Sequence, residues 1–409
     1  RGQSREIVAK MRDFPDYESI EPSESADPVR PCAGEALSSG EFCFDIPAQN
    51  RCHSIRDKLK MRSVMTAKKF NVGIVGYGWV SGAHIAAINA STLGQVTAVC
   101  SSRKLDASKL SAKHGSPIKV VNRLDALLAD PGIQVVSICS YPEHHASQAI
   151  AAAKAGKHLI IEKPLAFNWE DCMAIEKAVR EAKVKTCVGF ECRYSSQIQV
   201  TKAVIDRGLL GTIHYGEVDY FHGIGPSYAQ YRWNTRKSSG GSSLLSAGCH
   251  AIDTLLYCMG GGVEVVSSYN AHSSNPDFAQ YEYPTTSVTI LKFKDGRVGK
   301  VASVLDAHGP YYFHIHLVGS EGTMLDNKLY STYLPGLDKT RWSELAMDML
   351  DSGDVAKHSY GAQFEAFFTA LDAGYDMELT SLADALRTHQ IIFAADNSAE
   401  RHAHPRKHT

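Results

Sequence analysis

Three short stretches carry the groups most able to do chemistry. In LLSAGCHAIDTLLYCMGG, residues 244–261, the imidazole of His250 sits among small and apolar neighbours, with the Asp253 carboxylate one helical turn later. An imidazole so placed is a satisfied core histidine, a metal ligand or a proton-exchanging group, and this stretch alone leaves all three open. In IIEKPLAF, residues 160–167, Lys163 follows a buried apolar run and precedes Pro164, a poor place for mere surface charge. Its ammonium can polarise a hydroxyl or a carbonyl, with Glu162 as a ready ion-pair partner. In GIVGYGWVSGAH, residues 73–84, Gly76 permits a tight turn and Gly78 lets the backbone approach a pyrophosphate. Ser81 holds the third glycine position of Gly-x-Gly-x-x-Gly and is small enough for close helix–strand packing.

That glycine pattern is weak alone and much stronger where it sits between a strand and a helix. The chain supplies this setting. From Phe70, short apolar runs alternate with amphipathic stretches: FNVGIVG, QVTAVCS, IKVV, IQVVSICS, KHLIIEKP and VKTCVGF, with helices expected near 104–114 and 169–183 and Gly156 ending an Ala-rich one. Such alternation implies βαβ units on a parallel sheet with right-handed crossovers. Beyond residue 191 the texture changes. Stretches such as TSVTILKFKDGRVGKVASVLDA alternate like half-exposed strands, Asp295-Gly296 reads as a hairpin turn, and long helices close the chain. The fold class expected is α/β: an N-terminal Rossmann dinucleotide-binding domain over 69–190, then an α+β domain over 191–409 on a large, mostly antiparallel sheet. A half-apolar open sheet needs cover, so the second domain is expected to form the oligomer contact. Residues 1–68, rich in Pro, Glu, Ser and Gly, read as a largely disordered extension, and Met65 resembles a natural start preceded by leader or added sequence.

Composition narrows the function further. Across 409 residues, 43 basic and 44 acidic side chains leave a net charge of −1, which offers no electrostatic footprint for nucleic acid or a membrane surface. No apolar run reaches the roughly 18 residues of a membrane span, and no signal peptide is evident. The 10 cysteines are scattered without paired metal spacing and read as reduced core thiols of a cytoplasmic protein.

The second strand ends in VCSSRK, where an NAD site would place Asp or Glu for the adenosine ribose. Ser101, Ser102 and Arg103 suit a 2′-phosphate instead, so NADP is expected, with NAD the alternative.

The chain resembles the Gfo/Idh/MocA oxidoreductases (glucose–fructose oxidoreductase, inositol dehydrogenase and relatives) over residues 70–400. The matching blocks run in order: GYGWVSGAH, CSYPEHHASQAIAAAKAGKHLIIEKPLA, GFECRY, GLLGTI, SGGSSLLSAGCHAIDTL, GSEGTM and QFEAFFTAL. AGKHLIIEKPLA is the most specific. The resemblance implies that Lys163 and His250 are catalytic, acting without a metal on a sugar, polyol or cyclic alcohol. The family's Asp-x-x-x-His pair falls on Ser246 and His250, so its carboxylate is absent here. A less basic, more freely oriented imidazole is the expected consequence, with Asp253 a possible stand-in for the missing acid. The cofactor set expected is Gly76, Tyr77, Gly78, Trp79, Val80, Ser101, Ser102, Arg103, Ser140, Tyr141, His145, Glu162 and Lys163. Substrate is expected at Lys163, Arg193, Tyr194, Trp233, Ser246 and His250, with Tyr228, Tyr231 and Asn234 as further candidates. His144, His145, His314 and His316 lack the spacing of a metal site. Hydride transfer at a secondary carbon is the activity so implied. A cofactor-recycling lyase or glycosidase and a non-catalytic dinucleotide sensor are the alternatives, and a homodimer or homotetramer is expected.

Overall fold

The computed structural model describes residues 9–10, 69–351 and 353–403. Apart from β1 (Ala9–Lys10), the extension expected to be disordered lies outside the described residues.

The first sheet contains β2 (Phe70–Val75), β3 (Gly94–Cys100), β4 (Lys119–Val121), β5 (Val135–Ile138), β6 (His158–Ile161) and β7 (Thr186–Val188), all parallel, in the order β4-β3-β2-β5-β6-β7. Its strands are apolar without alternation because helices cover both faces, so every side chain of Val135–Ile138 is buried. Those helices include Ser81–Ala90, Ala107–His114, His145–Lys154 and Trp169–Ala182. Local chemistry sets their ends: Asp106 accepts from the amides of Ser108 and Lys109, and Gly115 stops that helix at φ +67°. Strand order reverses between β2 and β5, which opens a crevice at their carboxyl ends.

The second sheet has β8 (Ile213–Phe221), β9 (Val263–Ala271), β10 (Thr286–Phe293), β11 (Val298–Val304), β12 (Tyr312–Gly319), β13 (Gly322–Leu325), β14 (Lys328–Ser331) and β15 (Ser343–Glu344), in the order β1-β9-β10-β11-β8-β12-β13-β14-β15. Among the described strands of this sheet, only β8 and β11 pair in parallel. The hairpin expected at Asp295-Gly296 joins β10 to β11, with Gly296 at φ +91°. The helices Cys249–Met259 and Leu382–Ala403 cover the inner face, and β1 extends the edge by pairing with Val265 and Val266.

One helix departs from the division at residue 190. Tyr360–Ala373 packs on the first sheet beside Ser81–Ala90, and Tyr360, Phe364, Phe367 and Phe368 share a core with Val72, Ile74, Ile85 and Val96. A Cβ on Gly94 would lie 2.5 Å from the Phe368 ring, so strand and helix are in direct contact. Hydrophobic periodicity reveals that this helix has an apolar face, but not which sheet receives it. Phe368→Ala should therefore lower the unfolding free energy by about 3–5 kcal/mol, measured by denaturant titration. A loss below about 1 kcal/mol would show that the helix is peripheral to this core.

Candidate active site

A cleft of about 800 Å³ opens at the carboxyl ends of β2, β5 and β6, between the first sheet and the segments leading into the second domain. Gly76 turns the chain out of β2 at φ +88°. A Cβ there would stand 2.8 Å from the Cys139 carbonyl oxygen and from backbone atoms of Ser140, so only glycine fits between the two strand ends. A Cβ at Gly78 would meet open space, which leaves that backbone free to approach a ligand. Ser81 is fully buried, and its hydroxyl donates to the Gly78 carbonyl at 2.8 Å, tying the turn to the helix start. Tyr77, Trp79 and Val80 complete this wall.

At the far end lie Ser101, Ser102, Arg103, Asn122 and Leu124. The buried Ser101 hydroxyl accepts from the Arg103 amide at 3.2 Å, while Arg103 itself is exposed. Its guanidinium carbon and the Lys113 ammonium lie 5.9 and 5.7 Å from the Tyr77 ring centre, so two cations flank this corner. Glu162 is the only carboxylate among the described lining residues, and it lies at the opposite end.

Lys163 leaves β6 and enters the cleft, where its ammonium donates to the Ser246 carbonyl at 2.9 Å. Burial acts to lower its pKa, but Cys249, Glu162 and Glu191 together raise it above the ordinary lysine value. Lys163 is therefore a charged donor. Glu162 makes no direct ion pair with it. That carboxylate accepts from His84 Nε2 at 2.8 Å and from the Tyr360 hydroxyl at 2.9 Å. His84 is held protonated: burial opposes the charge, but Cys139 and Glu162 raise its pKa to about 10. Gly189 is a third fixed point, because a Cβ there would lie 2.8 Å from the Glu162 carboxylate.

His250 stands in the first turn of Cys249–Met259, after a π-helical turn over Leu244–Gly248. This wider turn breaks the regular i, i+4 register on which a Ser246–His250 pair would rely. No hydrogen bond joins the two side chains, and Ser246 serves the site through its backbone carbonyl instead. The imidazole is 3% exposed, and its Nδ1 has no hydrogen-bond partner among the described residues. Burial lowers its pKa to about 4, with Lys163 and His358 adding to that effect and Glu191 opposing it. At neutral pH the ring is uncharged and able to accept a proton, and the cause is burial rather than the serine at position 246.

Ser140, Tyr141, His145, Trp233 and Ser246 also line the cleft, as do Tyr228 and Asn234. His145 is a clamp, with Nδ1 2.7 Å from the Pro164 carbonyl and Nε2 3.2 Å from that of Ser140. Tyr231 is turned away and donates to the Asp277 carbonyl. Arg193 and Tyr194 are corrections, since neither lines the cleft. The Arg193 guanidinium, 4% exposed, makes two 2.7 Å bonds to Asp253 and lies 3.2 Å from Asp384. A cation buried to that degree needs counter-charge, so Asp253 is committed to Arg193 and does not stand in for the missing acid beside His250. Sequence reasoning missed His84, Glu191, His358 and Tyr360. His358 and Tyr360 lie in AKHSYGAQF, which carries no recognisable spacing and reaches the cleft only through the fold.

Among the described residues, no helix is long and apolar enough to cross a membrane, and Cys100, Cys139, Cys172, Cys187, Cys192, Cys249 and Cys258 are free and buried.

Residues 70–190 match the oxidoreductase family with an NAD-binding Rossmann fold, and residues 198–325 match the GFO/IDH/MocA C-terminal domain. The levoglucosan dehydrogenase of Pseudarthrobacter phenanthrenivorans is 26% identical, over 64% of this chain and 74% of its own length. The myo-inositol 2-dehydrogenase of Thermotoga maritima is 24% identical, over 64% of this chain and 76% of its own. The solved structure of levoglucosan dehydrogenase in complex with NADH has the same fold, with a TM-score of 0.71 at 24% identity, over 82% of this chain and 98% of that one. Because the two matched domains follow one another along more than half of the sequence, this chain belongs to the Gfo/Idh/MocA oxidoreductase family.

Proposed function

We propose that this chain is an NADP-dependent dehydrogenase or reductase acting on a secondary hydroxyl or carbonyl of a sugar, polyol or cyclic alcohol. The observation that carries this reading is a charged Lys163 and a neutral His250 lining one cleft with a dinucleotide-type glycine turn. The residues present fit the nucleotide. Gly76 and Gly78 clear the way for a pyrophosphate, while Ser101, Ser102 and Arg103 offer hydroxyls and a cation where a 2′-phosphate would lie. A bound nicotinamide would supply the hydride chemistry.

Lys163 donates to the reacting oxygen and stabilises the negative charge that develops there during oxidation. His250 accepts the hydroxyl proton, a task its neutral ring is ready for above about pH 4. Tyr141, Tyr228, Trp233 and Asn234 present flat apolar faces with polar tips, as a polyhydroxylated ring requires. Relatives named for levoglucosan, myo-inositol and D-glucosides support that substrate class. Free, buried cysteines suit a reducing, cytoplasmic setting.

The outer face of the second sheet leaves Tyr269, Val288, Ile290 and Tyr312 exposed, and a second copy covering it would form the homodimer or homotetramer we propose. Light scattering at micromolar concentration should give at least twice the chain mass, and a monomer would refute this. Lys163→Ala should lower kcat by at least about 100-fold while the affinity for reduced cofactor, read from its fluorescence, stays within about twofold. Retained turnover would remove Lys163 from the mechanism. The native enzyme should favour NADP over NAD in kcat/KM, and Arg103→Ala should reduce that ratio by about 10–100-fold. Equal use of both cofactors by the native enzyme would overturn the NADP assignment.

A further inference from the structure

Glu191 opens the 3-10 turn Glu191–Tyr194 that follows β7 and is 2% exposed. One carboxylate oxygen lies 2.9 Å from Nδ1 of His358, while the other, Oε2, is buried with no hydrogen-bond partner among the described residues. His250 Nδ1 is in the same condition. A Glu191 oxygen, the Cys192 sulfur and a ring nitrogen of His250 all lie within 4.8 Å of one another. The two residues that carry these unpartnered atoms thus meet in one small buried cluster, close enough to interact electrostatically.

A metal would also use such atoms, but the Lys163 ammonium acts on this same cluster and repels a cation. The groups acting electrostatically on His250 are Lys163 and Glu162 from the end of β6, Glu191 from the turn after β7, and His358 from the segment before Tyr360–Ala373. Cys249 on its own helix and Cys192 complete the titratable surroundings. Of the two carboxylates, Glu162 is engaged by His84 and Tyr360. Of the two, only Glu191 has an oxygen that is both fully buried and without a hydrogen-bond partner among the described residues. It is also anionic: burial works against its charge, but His250, His358 and Lys163 hold its pKa down at about 2.

We propose that Glu191 is the positioning residue for His250, its Oε2 accepting Nδ1–H so that Nε2 stays bare to take the substrate proton. The proposal rests on the dehydrogenase reading and extends it. During oxidation the hydroxyl proton moves to Nε2, Nδ1–H remains on the ring, and the carboxylate stabilises the imidazolium without taking the proton itself. The carboxylate absent at position 246 is thereby replaced from another element, whose approach tightens as substrate fills the cleft.

The test joins kinetics to 15N NMR of the His250 ring in the full chain, with His250→Gln identifying the signals. In the native protein Nδ1 should carry the proton, and a ring protonated on Nε2 instead would refute the proposal even if every Glu191 variant misfolded. Glu191→Gln should lower kcat about 100-fold, leave both KM values within about twofold, and shift the ring's tautomer balance and its titration to lower pH. Glu191→Asp should recover much of that loss, and Ser246→Asp in the Glu191→Gln background should recover part of it. An unchanged kcat with an unchanged tautomer would sink the assignment. If the native chain oxidises no polyol with either nucleotide, the dehydrogenase reading fails, while the NMR comparison still decides whether Glu191 holds His250.

Discussion

A lysine kept charged in a half-buried cleft constrains much of this site. Moving an ammonium from water into a protein interior costs several kcal/mol unless carbonyls and carboxylates meet it. Around Lys163 they come from separate parts of the chain: Ser246 through its carbonyl, Glu162 from the same strand end, and Glu191 from the turn after β7. Each carboxylate is itself a buried charge needing a partner. His84 and Tyr360 meet Glu162, and His358 meets Glu191. The order of the site thus spreads outward, from one cation to the helix Ser81–Ala90 and the returning helix Tyr360–Ala373.

His250 is the counterpart of that cation. The same burial that Lys163 withstands keeps the imidazole neutral, and the proximity of the ammonium reinforces the effect. Two groups in one cleft thus differ in charge at neutral pH, Lys163 being cationic and His250 neutral. A second buried ionic group, Arg193 with Asp253 and Asp384, takes no part in the cleft. It ties the turn after β7 to the helices Cys249–Met259 and Leu382–Ala403, and so holds Glu191 and His250 on rigid supports.

Much of the fold was legible because its signals are local. Uninterrupted apolar runs mark strands covered on both faces, alternating runs mark a half-open sheet, and Asp295-Gly296 marks its hairpin. The glycine turn was legible for the same reason, since Gly76 is required by a backbone angle and by the adjacent strand end. The residues proposed to hold the cofactor, from Gly76 to Val80 and from Ser101 to Arg103, all line the cleft. Arg193 and Asp253 misled because an arginine just past a strand end reads alike whether it meets substrate or a buried carboxylate.

The sequence by itself determined which groups could do chemistry, Lys163 and His250, and the order of strands and helices presenting them, because residue type, period and turn chemistry act over a few neighbouring positions. Only the tertiary structure decided which carboxylate meets which base. Glu162 reaches His84 and Tyr360 across 78 and 198 residues, and Arg193 reaches Asp253 across 60. The π-helical turn before His250 likewise removed the register that a four-residue spacing suggests. Charge pairing in a protein interior depends on distances of a few ångströms between segments far apart in the chain, and such distances exist only once both sheets have packed.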